Sequence, residues 1–139
     1  MELQSAYPVV VVNPSRVADC RDFYVRVFGF EVIFQASWFV YLGAGADGSL
    51  GIAFMASDHP SRPPGPETFG GQGMFFTIQV ADAEEAFVRL QAEGAQIAYP
   101  LRDEVWGQRR FGLHDPAGTW VDVVQQIEPA PGFWDPYLE

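Results

Sequence analysis

Phe23-Tyr24-Val25-Arg26-Val27, ahead of Gly29, and Ala86-Phe87-Val88-Arg89-Leu90, ahead of Gly94, are two versions of one local text. Each closes a helical pattern. Val17, Cys20, Phe23, Tyr24, Val27 and Phe28 recur at helical spacing in the first, and Ala83, Ala86, Phe87 and Leu90 in the second. Gly29 and Gly94 supply the left-handed stops. Ser15 is the expected N-cap of the first helix, and Asp82 with Glu85 forms a capping box for the second. A β-branched run, Tyr7 to Val12, precedes the first helix, and Asn13-Pro14-Ser15 breaks it. Strands are expected after it at Phe30 to Phe34, Trp38 to Leu42 and Leu50 to Met55, with Gly43 to Gly48 turning between the last two. The second half repeats that order: Met74 to Val80 before the helix, then Gln96 to Tyr99, Arg109 to Leu113 and Thr119 to Gln125, with Asp115-Pro116-Ala117-Gly118 as a turn. A β-α-β-β-β unit therefore occurs twice, and the expected class is α+β with two modules.

The modules are expected at residues 5–57 and 74–127, joined by a linker at 58–73 in which four prolines and four glycines fall between His59 and Gly73. Residues 128–139 form a Pro-rich tail carrying Phe133, Trp134 and Tyr137, too aromatic to float free, so packing on this chain or a partner is expected. No apolar run reaches the ~20 residues of a membrane span, and the N-terminus lacks the basic start of a secretory signal. One cysteine, Cys20, allows no internal disulfide and lies on the apolar helix face, so it reads as inert core in a cytoplasmic protein. The net charge is −10, with eight arginines and no lysine, which argues against binding nucleic acid phosphates directly. Acidity serves solubility and also attracts cations, including cationic small molecules.

Asp22-Phe23-Tyr24 followed by Phe28-Gly29-Phe30 resembles the first-helix signature of the vicinal-oxygen-chelate superfamily, which includes glyoxalases, bleomycin-resistance proteins and extradiol dioxygenases. Asp115-Pro116-Ala117-Gly118-Thr119, with Asp122 four residues after Gly118, resembles that superfamily's closing "DPxGN…E" hairpin. Pro100 to Arg109 resembles a segment of its bleomycin-resistance-like branch. The resemblance spans residues 5 to 127. It implies two modules whose mixed sheets curl around a shared cavity, and a homodimer, often with modules exchanged between chains. Function is left open, because the superfamily holds both metal enzymes and metal-free proteins that sequester DNA-damaging antibiotics.

The metal-dependent members place His, Glu or Gln ligands on the first and last strand of each module. Strand alternation tests each place. Phe76, Ile78 and Val80 should face the helix, leaving Phe75, Thr77 and Gln79 on the concave side; Phe75 stands where a ligand would. The matching place in the first strand, Tyr7 to Val9, holds no His, Glu or Gln. Val121 and Val123 should face the helix, so Trp120, Asp122 and Val124 face the cavity, and Asp122 alone matches the ligand pattern. The place near Met55 has no donor before Asp58 and His59. His59 reads as a solvated linker residue and His114 as part of the Asp115-Pro116 turn. An unconventional metal site made of Asp122, His59 or His114 stays open as an alternative. Asp122 otherwise reads either as a hydrogen-bonded strand residue or as an anchor for a cationic or N–H-bearing ligand.

No cofactor is expected. Aromatics make up 15% of the chain, and some fall on the concave parity: Phe39 and Tyr41 if Leu42 faces the core, with Phe75 and Trp120. Trp106 stands in the loop before Gln108-Arg109-Arg110. Such rings either fill the core or stack on a flat ligand. Gln79, Arg110 and Asp122 are the candidate orienting groups. The expected function is reversible, non-catalytic sequestration of a planar heteroaromatic, DNA-acting natural product of the bleomycin or quinoxaline type. The alternative is a metal-dependent glyoxalase-like lyase or extradiol dioxygenase, which needs a divalent ion and a nearby base.

Overall fold

A computed structural model describes residues 1–65 and 67–138; Pro66 of the linker and Glu139 of the tail lie outside the described residues. The chain divides into two compact units, Met1–Gly71 and Gln72–Glu139. The first contains β1 (Val9–Val12), α1 (Val17–Phe28), β2 (Glu31–Ala36), β3 (Phe39–Ala44) and β4 (Leu50–Ala56). The second contains β5 (Phe75–Gln79), α2 (Ala83–Ala92), β6 (Tyr99–Glu104), β7 (Gln108–His114) and β8 (Trp120–Gln126). Strand orders are β1-β4-β3-β2 and β5-β8-β7-β6, so the expected repeat is present as the same topology twice. In each unit the first strand pairs in parallel with the last, and the remaining pairs are antiparallel. Among the described residues no helix is long and apolar enough to cross a membrane.

Local chemistry explains the elements. Asn13, not Ser15, caps the first helical segment: its Oδ1 accepts from Ser15 N–H at 3.1 Å and opens a 3-10 turn, Pro14–Arg16, that leads into α1. Pro14 at the first helical position decides between the two caps, because its fixed φ suits a turn that starts there. Gly29 ends α1 at φ 71°. Val17, Cys20, Tyr24 and Val27 of α1 are buried, with Tyr24 against Phe54 of β4 at 5.5 Å between ring centroids. In the second unit Asp82 caps α2, its Oδ1 accepting from Glu85 N–H at 3.0 Å, which is the N-cap half of the expected capping box. Phe87 of α2 meets Phe111 of β7 edge-on at 5.4 Å, over fully buried Val121 and Val123.

The strand expected at Gln96 to Tyr99 is displaced: β6 runs from Tyr99 to Glu104. Pro100 and the charges of Arg102, Asp103 and Glu104 read as loop in sequence. An edge strand accepts both, since Pro needs no partner there and charges keep the edge from pairing with other chains. A register shift between Tyr99 and Arg102 absorbs the proline.

The Asp115 turn fixes the approach to β8. Asp115 Oδ1 accepts from Ala117 N–H and Thr119 N–H, each at 2.9 Å. Thr119 itself is 1% exposed, and its hydroxyl has no hydrogen-bond partner among the described residues. A buried hydroxyl without a partner loses its hydration and gains nothing in return. Thr119→Val should therefore leave stability unchanged or raise it by about 1 kcal/mol in urea unfolding. A loss above that size would mean the hydroxyl is satisfied in solution.

Candidate functional site

Alternation along β7 and β8 divides the second sheet. Phe111, Leu113, Val121 and Val123 face α2 and are buried. Arg110 pairs with Val124, Gly112 with Asp122 and His114 with Trp120, and these residues share the face away from α2. Parallel pairing adds Phe75 beside Trp120, Thr77 beside Asp122 and Gln79 beside Val124. From β6, Arg102 opposes Arg110 and Glu104 opposes Gln108.

Arg110 is the centre of this face. Its Nη1 donates to Asp122 Oδ2 at 3.0 Å, and its Nε and Nη2 donate to Glu104 Oε2 at 3.2 and 2.9 Å. Glu104 also forms an ion pair with Arg102, Nε to Oε1 at 2.7 Å, and accepts from the Tyr99 hydroxyl at 3.3 Å. Asp122 Oδ1 receives Trp120 Nε1–H at 3.1 Å. The side chains of both carboxylates are nearly inaccessible, at 5% for Glu104 and 3% for Asp122. Burial pulls the Arg110 guanidinium down, but the hydrogen bonds and charges of Asp122 and Glu104 outweigh it and leave Arg110 above its ordinary value. Arg110 therefore stays charged wherever the protein is folded.

Rings surround the guanidinium. Its carbon lies 5.0 Å from the Trp106 ring centroid and 5.3 Å from that of Tyr99, within cation–π range. Tyr99 meets Trp120 edge-on at 6.3 Å. Trp106 sits on the β6–β7 turn and donates to Gln108 Oε1 at 2.8 Å. The tail braces that turn: Ile127 N–H bonds Gly107 O, Ala130 N–H bonds Val105 O, and Trp134 Nε1–H bonds Trp106 O at 2.9 Å. Trp120 lies flat enough on Gly112 that a Cβ there would collide with its indole carbons. Gly112 is thus a place where only hydrogen fits.

The second unit brings together Trp106, Arg110, Trp120 and Asp122 of the candidate residues. Phe75 stands next to Trp120, 59% exposed. Gln79 is exposed and accepts from Gln126 Nε2 at 3.2 Å, with β8 between its strand and that of Arg110. In the first unit, Phe39 and Tyr41 occupy the face away from α1, since Val40 and Leu42 are buried on the other side. Tyr41 packs on Tyr7 at 4.6 Å and covers Gly51, where a Cβ would stand 2.7 Å from its hydroxyl. Glu104, Arg102 and Tyr99 escaped the sequence reading as site residues. The signal for Glu104 and Arg102 was membership of the Pro100 to Arg109 segment, and Tyr99 stood only as the end of the strand expected at Gln96 to Tyr99.

A divalent metal does not fit the residues at the superfamily's ligand places. Tyr7 to Val9, Met55 and Phe75 offer no His, Glu or Gln, and Asp122 is engaged by Arg110 and Trp120. No group of three or more His, Cys, Asp or Glu side chains converges among the described residues. His59 is not a freely solvated linker residue: its ring stacks on Trp38 at 3.6 Å and 4° and accepts from Ser61 N–H. The indole gives the ring an apolar surface to lie on, which the linker composition did not reveal. His114 is exposed, edge-on to Trp120 at 5.2 Å.

An uncharacterised protein of Mycobacterium bovis is 26% identical over 133 residues, covering 86% of this chain and 82% of its own. A solved glyoxalase/bleomycin resistance protein/dioxygenase from Nocardioides superposes with a TM-score of 0.70 at 18% identity, over 95% of this chain and 89% of that one. TioX from Micromonospora sp. ML1 superposes with a TM-score of 0.63 at 24% identity, over 90% of this chain and all (100%) of that one. The two solved structures share the fold. Residues 7–123 match the family model described as Glyoxalase/Bleomycin resistance protein/Dioxygenase superfamily, and with the doubled β-α-β-β-β topology this places the chain in that superfamily.

Proposed function

We propose that this chain is a non-catalytic binding protein that sequesters a planar heteroaromatic, DNA-acting natural product of the bleomycin or quinoxaline type, in the cytoplasm and as a homodimer. The observation that carries the reading is the face of the second sheet away from α2. There Trp106 and Tyr99 flank Arg110, Trp120 meets Tyr99 edge-on, and buried Glu104 and Asp122 hold the arginine's charge. Rings fixed around a neutralised polar centre offer stacking area with few orientation-setting donors, which is the chemistry a flat ligand needs. Both carboxylates of this face are engaged, which leaves neither as an open base, and the reading rests on the rings. Phe75 and Gln79 extend the face, and Phe39 and Tyr41 complete the candidate set.

The test is titration of tryptophan fluorescence with bleomycin and quinoxaline antibiotics, with and without chelator, on protein whose mass is read by sedimentation. Binding that chelator leaves unchanged is the expected result. No binding tighter than about 1 mM, which corresponds to only about 4 kcal/mol, would overturn the reading. A tightly held divalent ion lost together with an activity would favour a lyase or dioxygenase instead.

A further inference from the structure

The chain carries −10 overall, and an acidic protein in this fold would be expected to attract a cationic ligand. On the candidate face two carboxylates and two guanidiniums balance, and the exposed share of that charge is positive. Glu104 and Asp122 are at 5% and 3% side-chain exposure, all four of their oxygens already accept from Arg110, Tyr99 or Trp120, and Arg102 forms an ion pair with Glu104. An incoming cation cannot reach them without displacing a guanidinium. The accessible charges are the guanidiniums themselves: Arg102 is 62% exposed and Arg110 24%. Arg102 Nε pairs with Glu104, and its terminal N–H groups have no partner among the described residues. Its carbon lies 5.9 Å from the Tyr99 ring, which in turn meets Trp120. A ring stacked there would place its edge beside a fork of unoccupied donors.

Resting on the proposed function, we propose that the aromatic ligand carries a hydrogen-bond acceptor, a carboxylate or carbonyl, at the edge of its plane, that Arg102 reads this group, and that the site discriminates against cations. Guanidinium geometry suits such a group because two parallel N–H bonds can meet two oxygens or a carbonyl and its neighbour. The chain's distributed negative charge opposes an anion only at long range. At physiological ionic strength it is screened beyond about 8 Å, whereas contact with Arg102 is not.

The test compares three probes sharing one ring system: quinoxaline carboxylate, its carboxamide and its aminomethyl cation, titrated by tryptophan fluorescence at physiological salt. Expected is the order carboxylate, carboxamide, cation, with about tenfold between the first and last, equivalent to about 1.4 kcal/mol. In Arg102→Gln, the preference for carboxylate over carboxamide should disappear. Arg102 is mostly solvent-exposed, so the variant should fold. Equal binding of the three, tightest binding by the cation, or an order unchanged in Arg102→Gln would each overturn the inference while leaving the aromatic-binding reading intact. Failure of all three to bind would sink that reading, and the inference with it.

Discussion

Replacing Arg110 by Met is expected to cost about 3–5 kcal/mol of folding stability, a large share of what a domain of this size possesses. The cost lies less in the lost attraction than in what stays behind. Glu104 and Asp122 would remain buried as anions with their shared cation gone. Loss of the guanidinium's contacts with Trp106 and Tyr99 adds about 0.5–1 kcal/mol, a minor part of the total. If that accounting is right, neutralising the partners should rescue the protein. Arg110→Met combined with Glu104→Gln and Asp122→Asn should recover most of the loss, because the amides still accept from Tyr99 and Trp120. Arg109→Met is the control: Arg109 pairs with Asp103 on the other side of β6 and β7, exposed to solvent, and its loss should scarcely move the transition. Urea unfolding reads all three. An Arg110→Met protein within 1 kcal/mol of the parent would show that the two carboxylates find water or other partners.

Trp120→Ala is expected to remove both stability and binding. The indole is half-buried, covers Gly112, and donates to Asp122. Truncating a fully buried Trp costs about 3–5 kcal/mol, so about 2–3 kcal/mol is expected here. Loss of the stacking surface should weaken ligand binding by roughly 1–3 kcal/mol more, counting area and ring geometry together. Trp120→Phe separates the parts. It keeps most of the ring but leaves Asp122 Oδ1 without its N–H donor, so stability should fall by about 1–3 kcal/mol while binding changes less. Phe75→Ala, at an exposed position, should weaken binding with little effect on folding. Two folded alanine variants that bind as tightly as the parent would refute the stacking role.

Much of this was legible because strand alternation is a short-range rule. Val121 and Val123 are the residues a core wants, so Trp120 and Asp122 had to lie on the other face, and the register confirms that division. The same rule put Phe39 and Tyr41 opposite Leu42. What could not be read was pairing across the sheet. Glu104 owes its burial to Arg110, six residues away around a hairpin, and nothing within Pro100 to Glu104 announces a strand. A charged, proline-bearing edge strand looks like a loop until its neighbour is known. Asp122 is the converse case. Its parity was readable, but its occupancy by Arg110 and Trp120 depends on side-chain geometry that spacing does not encode.

Gly112 carries a consequence beyond sterics. A side chain that is free in the unliganded protein must surrender its rotamers when a ligand arrives, at about 0.5–1.5 kcal/mol for each one immobilised. Trp120 has surrendered them already, because the indole is seated against a backbone with no Cβ to lift it and is pinned by its N–H to Asp122. The entropy was lost during folding, when the core's gains were there to offset it. A ligand that stacks on this ring meets a surface that is rigid before contact, and its own binding energy goes into affinity instead of into ordering the protein.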